Sequence, residues 1–311
     1  MISIITPLYN KGKYISEMIK SIKNQTYTNW ELIIVDNGST DRGLEIAKNS
    51  AFEEKRIKVI QIDIRGPGKA RNAGYQLSKG EYICFLDADD YYSPEHLEIM
   101  FSTLIKRNAD IAVSQFVEKR SDSEKIIMPP GYNDDYNKTL EYAFVRSPWA
   151  IHAALIDKKI FATKNPWDER ADDFPAEDNL FWYKNIIKKT IAWSASKGAV
   201  YRLNVENSRN EKTKNELWVK GMIYQYGVKD QIRKNYNLPL TEWQVVEISR
   251  SFENMYLRAK SEKDVQTALE ALKEAQKWIG HAKGHSPKIF MRKYLGIKNV
   301  CLLLKLIKQK H

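Results

Sequence analysis

Cysteine is nearly absent: Cys84 and Cys301 lie far apart and neither belongs to a Cys-x-x-Cys pair. A disulfide framework or cysteine-rich zinc site is not expected, and a reducing compartment is. The 14 glycines and 10 prolines are too few for a collagenous or low-complexity chain. Among five histidines none sits at metal-cluster spacing, and His96 and His152 are isolated, so a zinc hydrolase has little support. Long apolar runs are also missing: Val300 to Leu304 falls far below the ~20 residues that cross a bilayer. Met1 to Asn10 lacks a basic leader and a cleavage-type sequence, so a cytoplasmic protein is expected. What remains is a folded chain of 311 residues, 43% hydrophobic and 29% charged, long enough for about two units with a real core. Lys and Arg exceed Asp and Glu by 50 to 39, a net charge of +11.

The first 110 residues repeat an apolar β-forming run, a polar turn and a segment of helical spacing, the signature of βαβ units. Strands are predicted over Ile2 to Thr6, Glu31 to Val35, Ile57 to Ile62 and Glu81 to Leu86. The second and fourth lack polar alternation, as strands buried on both faces of a parallel sheet do. Ile15, Met18, Ile19 and Ile22, then Leu44 with Ala47, then Ala70, Ala73, Gly74 and Leu77 mark the crossover helices. Polar clusters follow each strand: Thr6 to Asn10, Asp36 to Asp41, Arg65 to Arg71 and Asp87 to Asp90. All lie at carboxyl ends, where an open α/β sheet binds ligands. With strand four on the far side of strand one, the crevice opens between Thr6 and Asp87.

Beyond Asp110 the rhythm breaks. Ile111 to Val117 reads as a strand, Glu118 to Lys125 as a charged loop, and Pro129-Pro130-Gly131 as a subdomain joint. Leu140 to Leu203 is rich in aromatics and reads as a second wall of the pocket. From Glu211 the chain reads as helices, ending in a basic tail from Gly284 (Lys288, Arg292, Lys293, Lys298, Lys305, Lys308, Lys310) that suits a surface-lying helix.

Four constellations carry chemistry. In Asp87-Ala88-Asp89-Asp90, Asp87 and Asp89 can face the same way, and two hard oxygens on one side suit Mg²⁺ or Mn²⁺; the plainer reading is a helix cap by Asp90 or Ser93. Arg65-Gly66-Pro67-Gly68-Lys69-Ala70-Arg71 fits neither the dinucleotide fingerprint nor the P-loop, yet a glycine turn feeding a helix with cations in its first turn suits a diphosphate, or else is a solvated turn. Asp36-Asn37-Gly38-Ser39 places hydrogen-bonding groups where nucleotide binders meet a ribose or base, though Asn-Gly is also an ordinary turn. Glu177-Asp178, among Phe174, Phe181 and Trp182, suits either a general base with a raised pKa or the cap of the segment Leu180 to Ile187.

Ile2 to Asn10, Ser21 to Thr26, Val35 to Asp41, Gly68 to Gly74 and Gly80 to Asp90, in this order, resemble the family 2 glycosyltransferases over the first 100 residues. The resemblance implies a GT-A fold, α/β and Rossmann-like with a mostly parallel sheet and helices on both faces, here followed by a helical C-terminal extension. It implies a nucleotide-diphosphate sugar donor, a divalent metal and inversion at the anomeric carbon. Carried over by position, Thr6, Pro7, Tyr9, Asp36 and Asn37 would bind base and ribose. Gly68 and Arg71 would approach the nucleotide, and Asp87, Ala88 and Asp89 would form the Asp-x-Asp, with Asp89 the direct metal ligand. Asp178 would be the catalytic base, and Tyr201-Arg202 with Ser208 loosely matches a segment that closes over the diphosphate. Many relatives carry Asp where Asn37 stands, so uridine is favoured as the base without being fixed.

The expected reaction is transfer of a sugar from a UDP-sugar to a hydroxyl of a saccharide or lipid-linked saccharide, in bacterial surface polysaccharide assembly. Trp149, His152, Glu177 and Trp182 would line the acceptor side, core packing being the other fate of the tryptophans. The expected units are 1–110 for the nucleotide sugar, 111–210 for the acceptor and 211–311 as a helical region whose basic tail would touch an anionic membrane. A sugar nucleotidyltransferase lacks its triphosphate loop at Thr6 to Asn10. A basic nucleotide- or membrane-binding module is permitted by the charge, but no motif for nucleic acid accompanies it.

Overall fold

A computed structural model of the chain describes residues 1–132, 135–206 and 213–283, together with 289, 292, 293, 296 and 299. Most of the basic tail from Gly284 onward, Cys301 and Ser208 lie outside the described residues. No described helix is long and apolar enough to cross a membrane.

The first four strands are β1 (Ile2–Leu8), β2 (Trp30–Asp36), β3 (Ile57–Gln61) and β4 (Tyr82–Phe85), each within two residues of its expected bounds. All pair in parallel, in the spatial order β3-β2-β1-β4. Every residue of β2 is buried, because helices cover both faces. Ile33 and Val35 pack with Ala70 of α3 (Pro67–Leu77). Leu32 and Ile34 point the other way and join the cluster holding Ile15, Met18, Ile19 and Ile22 of α1 (Ile15–Lys23). Helix α2 (Gly43–Glu53) crosses between β2 and β3. Gly74 permits the close approach of α3, since a Cβ there would meet Ile5 Cγ2 at 2.5 Å. Leu77, assigned to the buried face by spacing, is instead exposed at the last turn.

The sheet continues past residue 110. Short β5 (Tyr91–Tyr92), β6 (Ile111–Lys119), β7 (Glu124–Ile127), β8 (Ala154–Asp157) and β9 (Ile191–Arg202) complete the order β3-β2-β1-β4-β8-β6-β9-β5, with β7 paired to β6. The charged stretch Glu118 to Lys125, expected as a loop, is therefore the tip of a β6–β7 hairpin. Its charges suit an edge strand, whose open backbone they shield from further pairing. Neither Asp90 nor Ser93 caps a helix by its side chain: α4 (His96–Lys106) starts behind Glu95 with no side-chain cap. The segment Ser21 to Thr26 is a clasp, with Gln25 Nε2 donating to Ser93 O (2.7 Å) and Gln25 Oε1 accepting from Leu97 N–H (3.0 Å).

Helix α4 lies against β6 and β9, while α5 (Tyr136–Val145) and α6 (Glu177–Ile186) pack on each other. Three longer helices follow: α7 (Asn215–Asn235), α8 (Glu242–Ser261) and α9 (Val265–Gly280). A capping box, Thr241 with Gln244, starts α8. Fully buried Lys229 of α7 fastens this region to the rest, its ammonium donating to Ala143 O (2.9 Å), Phe144 O (3.1 Å) and Asn179 Oδ1 (2.7 Å).

Candidate active site

The strand order reverses between β1 and β4, and a cavity of about 1350 Å³ opens beyond their carboxyl ends. Twelve expected residues line it: Pro7, Tyr9, Asn37, Arg71, Asp87, Ala88, Asp89, Trp149, His152, Glu177, Asp178 and Tyr201. Thr6, Asp36 and Gly68 sit behind that lining, and Trp182 stands apart from it. Trp182 is wholly buried against Trp149 and Phe181, so its indole is core rather than an acceptor platform.

The loop after β1 is stapled to the loop after β2. Asn10 N–H donates to Ser39 Oγ (3.1 Å), Thr40 N–H to Asn10 Oδ1 (2.7 Å), and Gly12 N–H to Asp41 Oδ2 (2.7 Å). Asp36 is buried and turned to Ser39 N–H (3.3 Å). Asn37 donates its amide N–H to Gly66 O (2.9 Å), which can only accept, so its Oδ1 is fixed as the other end of the amide. That oxygen is buried without a partner, and so is Thr6 Oγ1. Buried polar atoms left unmatched are rare. At the mouth, Tyr9 is exposed and carries the Arg65 guanidinium over its ring at 5.4 Å.

The glycine turn departs from the expected diphosphate cradle. Asp172, 104 positions along the chain, accepts from Gly68 N–H (2.7 Å) and Lys69 N–H (2.8 Å), so a carboxylate of the protein itself occupies the start of α3. Gly66, at φ +143°, and Gly68 leave no room for a Cβ beside that carboxylate. Arg71 is likewise not a free cation. It is 3% exposed, stacks on Trp167 at 4.3 Å, and pairs with Asp87 Oδ1 (2.7 Å) and Glu177 Oε1 (2.8 Å). Burial opposes its charge, but the two carboxylates more than offset this and hold it protonated. Its visible work is to tie β4's Asp-x-Asp to the start of α6.

Asp89 pairs with Lys11 Nζ at 2.7 Å. Asp90 turns inward, its Oδ1 accepting from Arg202 N–H (2.8 Å) and its Oδ2 facing His152 Nδ1 at 3.2 Å, both side chains 1% exposed. Burial, reinforced by Asp89 and Asp87, drives the Asp90 carboxyl well above the usual carboxylate range, and burial lowers His152 to about 4. Asp90 is thus turned to His152 and away from the cavity lining, and the carboxylates left to face the cavity here are those of Asp87 and Asp89. Two hard carboxylates fit a divalent ion that takes its remaining ligands from phosphate and water. Among the described residues, no group of three or more His, Cys, Asp or Glu converges to hold a metal unaided.

Glu177 and Asp178 form the first turn of α6 behind left-handed Ala176 (φ 60°), and neither is the cap residue. Ser147 Oγ donates to Asp178 Oδ2 at 2.8 Å. Burial, then the neighbouring Glu177 charge, pushes the Asp178 carboxyl up to about 6 against that bond. Asp178 thus titrates where a general base for a hydroxyl is most useful. The residues the sequence reading missed are Lys11, Ser147 and Asp172, each of which acts on a group that the reading named.

Fold and cavity together define a GT-A-type α/β protein with a cavity at the β1/β4 switch point. Residues 3–156 match the family described as Glycosyl transferase family 2, and over that region the chain belongs to the family. It is 35% identical to the glycosyltransferase GlyG of Streptococcus pneumoniae over 117 residues, which span 37% of this chain and 39% of GlyG. The fold matches S. aureus TarS 1-349, crystallised with UDP-GlcNAc, with TM-score 0.71 and 20% identity over 100% of this chain and 92% of that one. It also matches the mannosyltransferase PcManGT of Pyrobaculum calidifontis, in complex with GDP-Man and Mn²⁺, with TM-score 0.54 and 15% identity over 97% and 83% of the two chains.

Proposed function

We propose that this chain transfers a sugar from a UDP-sugar to a hydroxyl of a saccharide or lipid-linked saccharide, with inversion and with a divalent metal. The observation that carries the reading is the convergence on one cavity of two outward carboxylates, an oriented carboxyl that titrates at about 6, and the unmatched acceptor Asn37 Oδ1. Asn37 favours uracil, whose N3–H would donate to Oδ1; cytosine presents an acceptor there and would leave both atoms unmatched. TarS with UDP-GlcNAc and PcManGT with Mn²⁺ support the donor class and the metal.

Asp87 and Asp89 would hold Mg²⁺ or Mn²⁺, whose charge would balance the departing diphosphate. Asp178 takes the proton of the acceptor hydroxyl, and Ser147 fixes which carboxylate oxygen is free to do so. The acceptor oxygen bonds to the anomeric carbon from the face opposite the diphosphate, the bond from that carbon to the phosphate oxygen breaks, and UDP leaves with the electron pair. Inversion follows from a single displacement. Phe116, Ile127, Tyr142 and Trp149 also line the cavity and suit the apolar faces of sugar rings.

Proton NMR of an α-linked UDP-sugar incubated with Mn²⁺ tests this even with water as acceptor. The first free sugar is expected as the β anomer. Release of the α anomer would remove Asp178 from its role, and no turnover of any nucleotide sugar with any acceptor would remove the reaction.

A further inference from the structure

The ion pair between Lys11 and Asp89 is not part of the chemistry described above. Lys11 lies in the loop after β1, a loop held by the Asn10–Ser39, Asn10–Thr40 and Gly12–Asp41 bonds, so its backbone is fixed while its long side chain reaches into the cavity. Its ammonium sits 2.7 Å from Asp89 Oδ2, with side chains only 15% and 19% exposed, and also reaches Glu206 O at 3.4 Å. Asp87, by contrast, is paired to buried Arg71, which is locked between two carboxylates and a Trp ring and cannot swing. Of the two cations on the Asp-x-Asp, one is built in and one is on a flexible stem.

We propose that Lys11 is a displaceable internal counter-ion for Asp89, holding the metal position until a metal and a nucleotide diphosphate arrive together, when the ammonium passes from the carboxylate to a phosphate oxygen. This rests on the reading of Asp89 as a metal ligand. An ammonium and a dication on one carboxylate repel each other, so a metal alone must first displace Lys11. A diphosphate gives the displaced ammonium a new partner and supplies the ligands that two carboxylates lack. Metal and nucleotide binding are thereby coupled, and the coupling acts equally in both directions.

The test is Mn²⁺ titration, read from the electron paramagnetic resonance signal of free Mn²⁺, on wild type, Lys11→Met, Lys11→Arg and Asp89→Asn, with and without UDP. Without UDP, Lys11→Met is expected to bind Mn²⁺ about fivefold more tightly than wild type, the size of a partly exposed ion pair. UDP should then strengthen Mn²⁺ binding less in Lys11→Met than in wild type, while Lys11→Arg, which keeps the cation, should follow wild type. Unchanged or weaker Mn²⁺ binding in Lys11→Met without UDP would overturn the inference alone. If wild type with UDP shows no Mn²⁺ binding that Asp89→Asn removes, the metal reading fails and this inference falls with it. Metal-independent UDP binding that is lost in Lys11→Met would instead make Lys11 the permanent substitute for a metal.

Discussion

Replacing Asp178 by Asn should raise stability at neutral pH while removing activity. Burial beside Glu177 moves the carboxyl from its ordinary 3.8 to about 6, so the folded state resists its ionisation. The unfolded chain loses that proton more easily, and stability therefore falls as pH rises from about 4 through about 6. Above pH 7 the full deficit, on the order of 3 kcal/mol, is present; below pH 4 it vanishes. An Asn side chain is neutral at every pH and can still accept from Ser147 Oγ through its amide oxygen. Asp178→Asn should thus unfold at higher urea than wild type at pH 7.5, and the two should converge toward pH 4. Turnover should drop by roughly 10² to 10⁴, the usual worth of a general base. In wild type, kcat/KM should rise about tenfold between pH 5 and pH 7 and then level off, since the base acts only when ionised. A variant that is less stable than wild type at pH 7.5, or whose gain persists undiminished at pH 4, would show that burial does not penalise the Asp178 charge. A flat wild-type pH profile would refute the assignment of the base.

Asp172→Ala should leave Gly68 and Lys69 N–H without their partner at the start of α3 and lower stability, seen as a lower urea midpoint with an unchanged slope; burial pushes the Asp172 carboxyl up to about 6, so the loss should be larger at pH 5 than at pH 7.5. An unchanged midpoint would mean that water serves those donors as well as the carboxylate does. Asn37→Ala should weaken UDP binding about tenfold by calorimetry, as one buried hydrogen bond to the base is lost, and should leave CMP binding nearly unchanged. Equal losses for both nucleotides would place Asn37 in the architecture of the loop rather than against the base.

The first half of the fold was legible because β1 to β4 are apolar runs punctuated by polar turns, and their ends put Asp36, Asp87 and their neighbours at one rim. The second half was not. In β9 the inward positions carry Ala192, Ser194 and Ser196, small or polar side chains that break the apolar alternation by which strands are recognised. The β6–β7 hairpin reads as a loop because an edge strand needs charge rather than hydrophobicity. The Asp-x-Asp and Asp178 stood out as carboxylates beside apolar segments. The partners of those groups did not: Asp172 meets Gly68, and Ser147 meets Asp178, through the fold and without any local signal. Arg71 was legible as a cation near the site, but its neutralisation by Asp87 and Glu177 depends on the fold bringing the start of α6 to α3, which spacing along the chain does not encode.

Calorimetric titration of wild type and Asp89→Ala with UDP, GDP, dTDP and CMP, each with and without Mn²⁺, decides whether the cavity is a metal-dependent uridine diphosphate site. UDP is expected to bind most tightly, Mn²⁺ to strengthen its binding, and Asp89→Ala to abolish the strengthening while remaining folded. Tighter binding of another nucleotide, or an Mn²⁺ effect that survives in Asp89→Ala, would contradict that assignment.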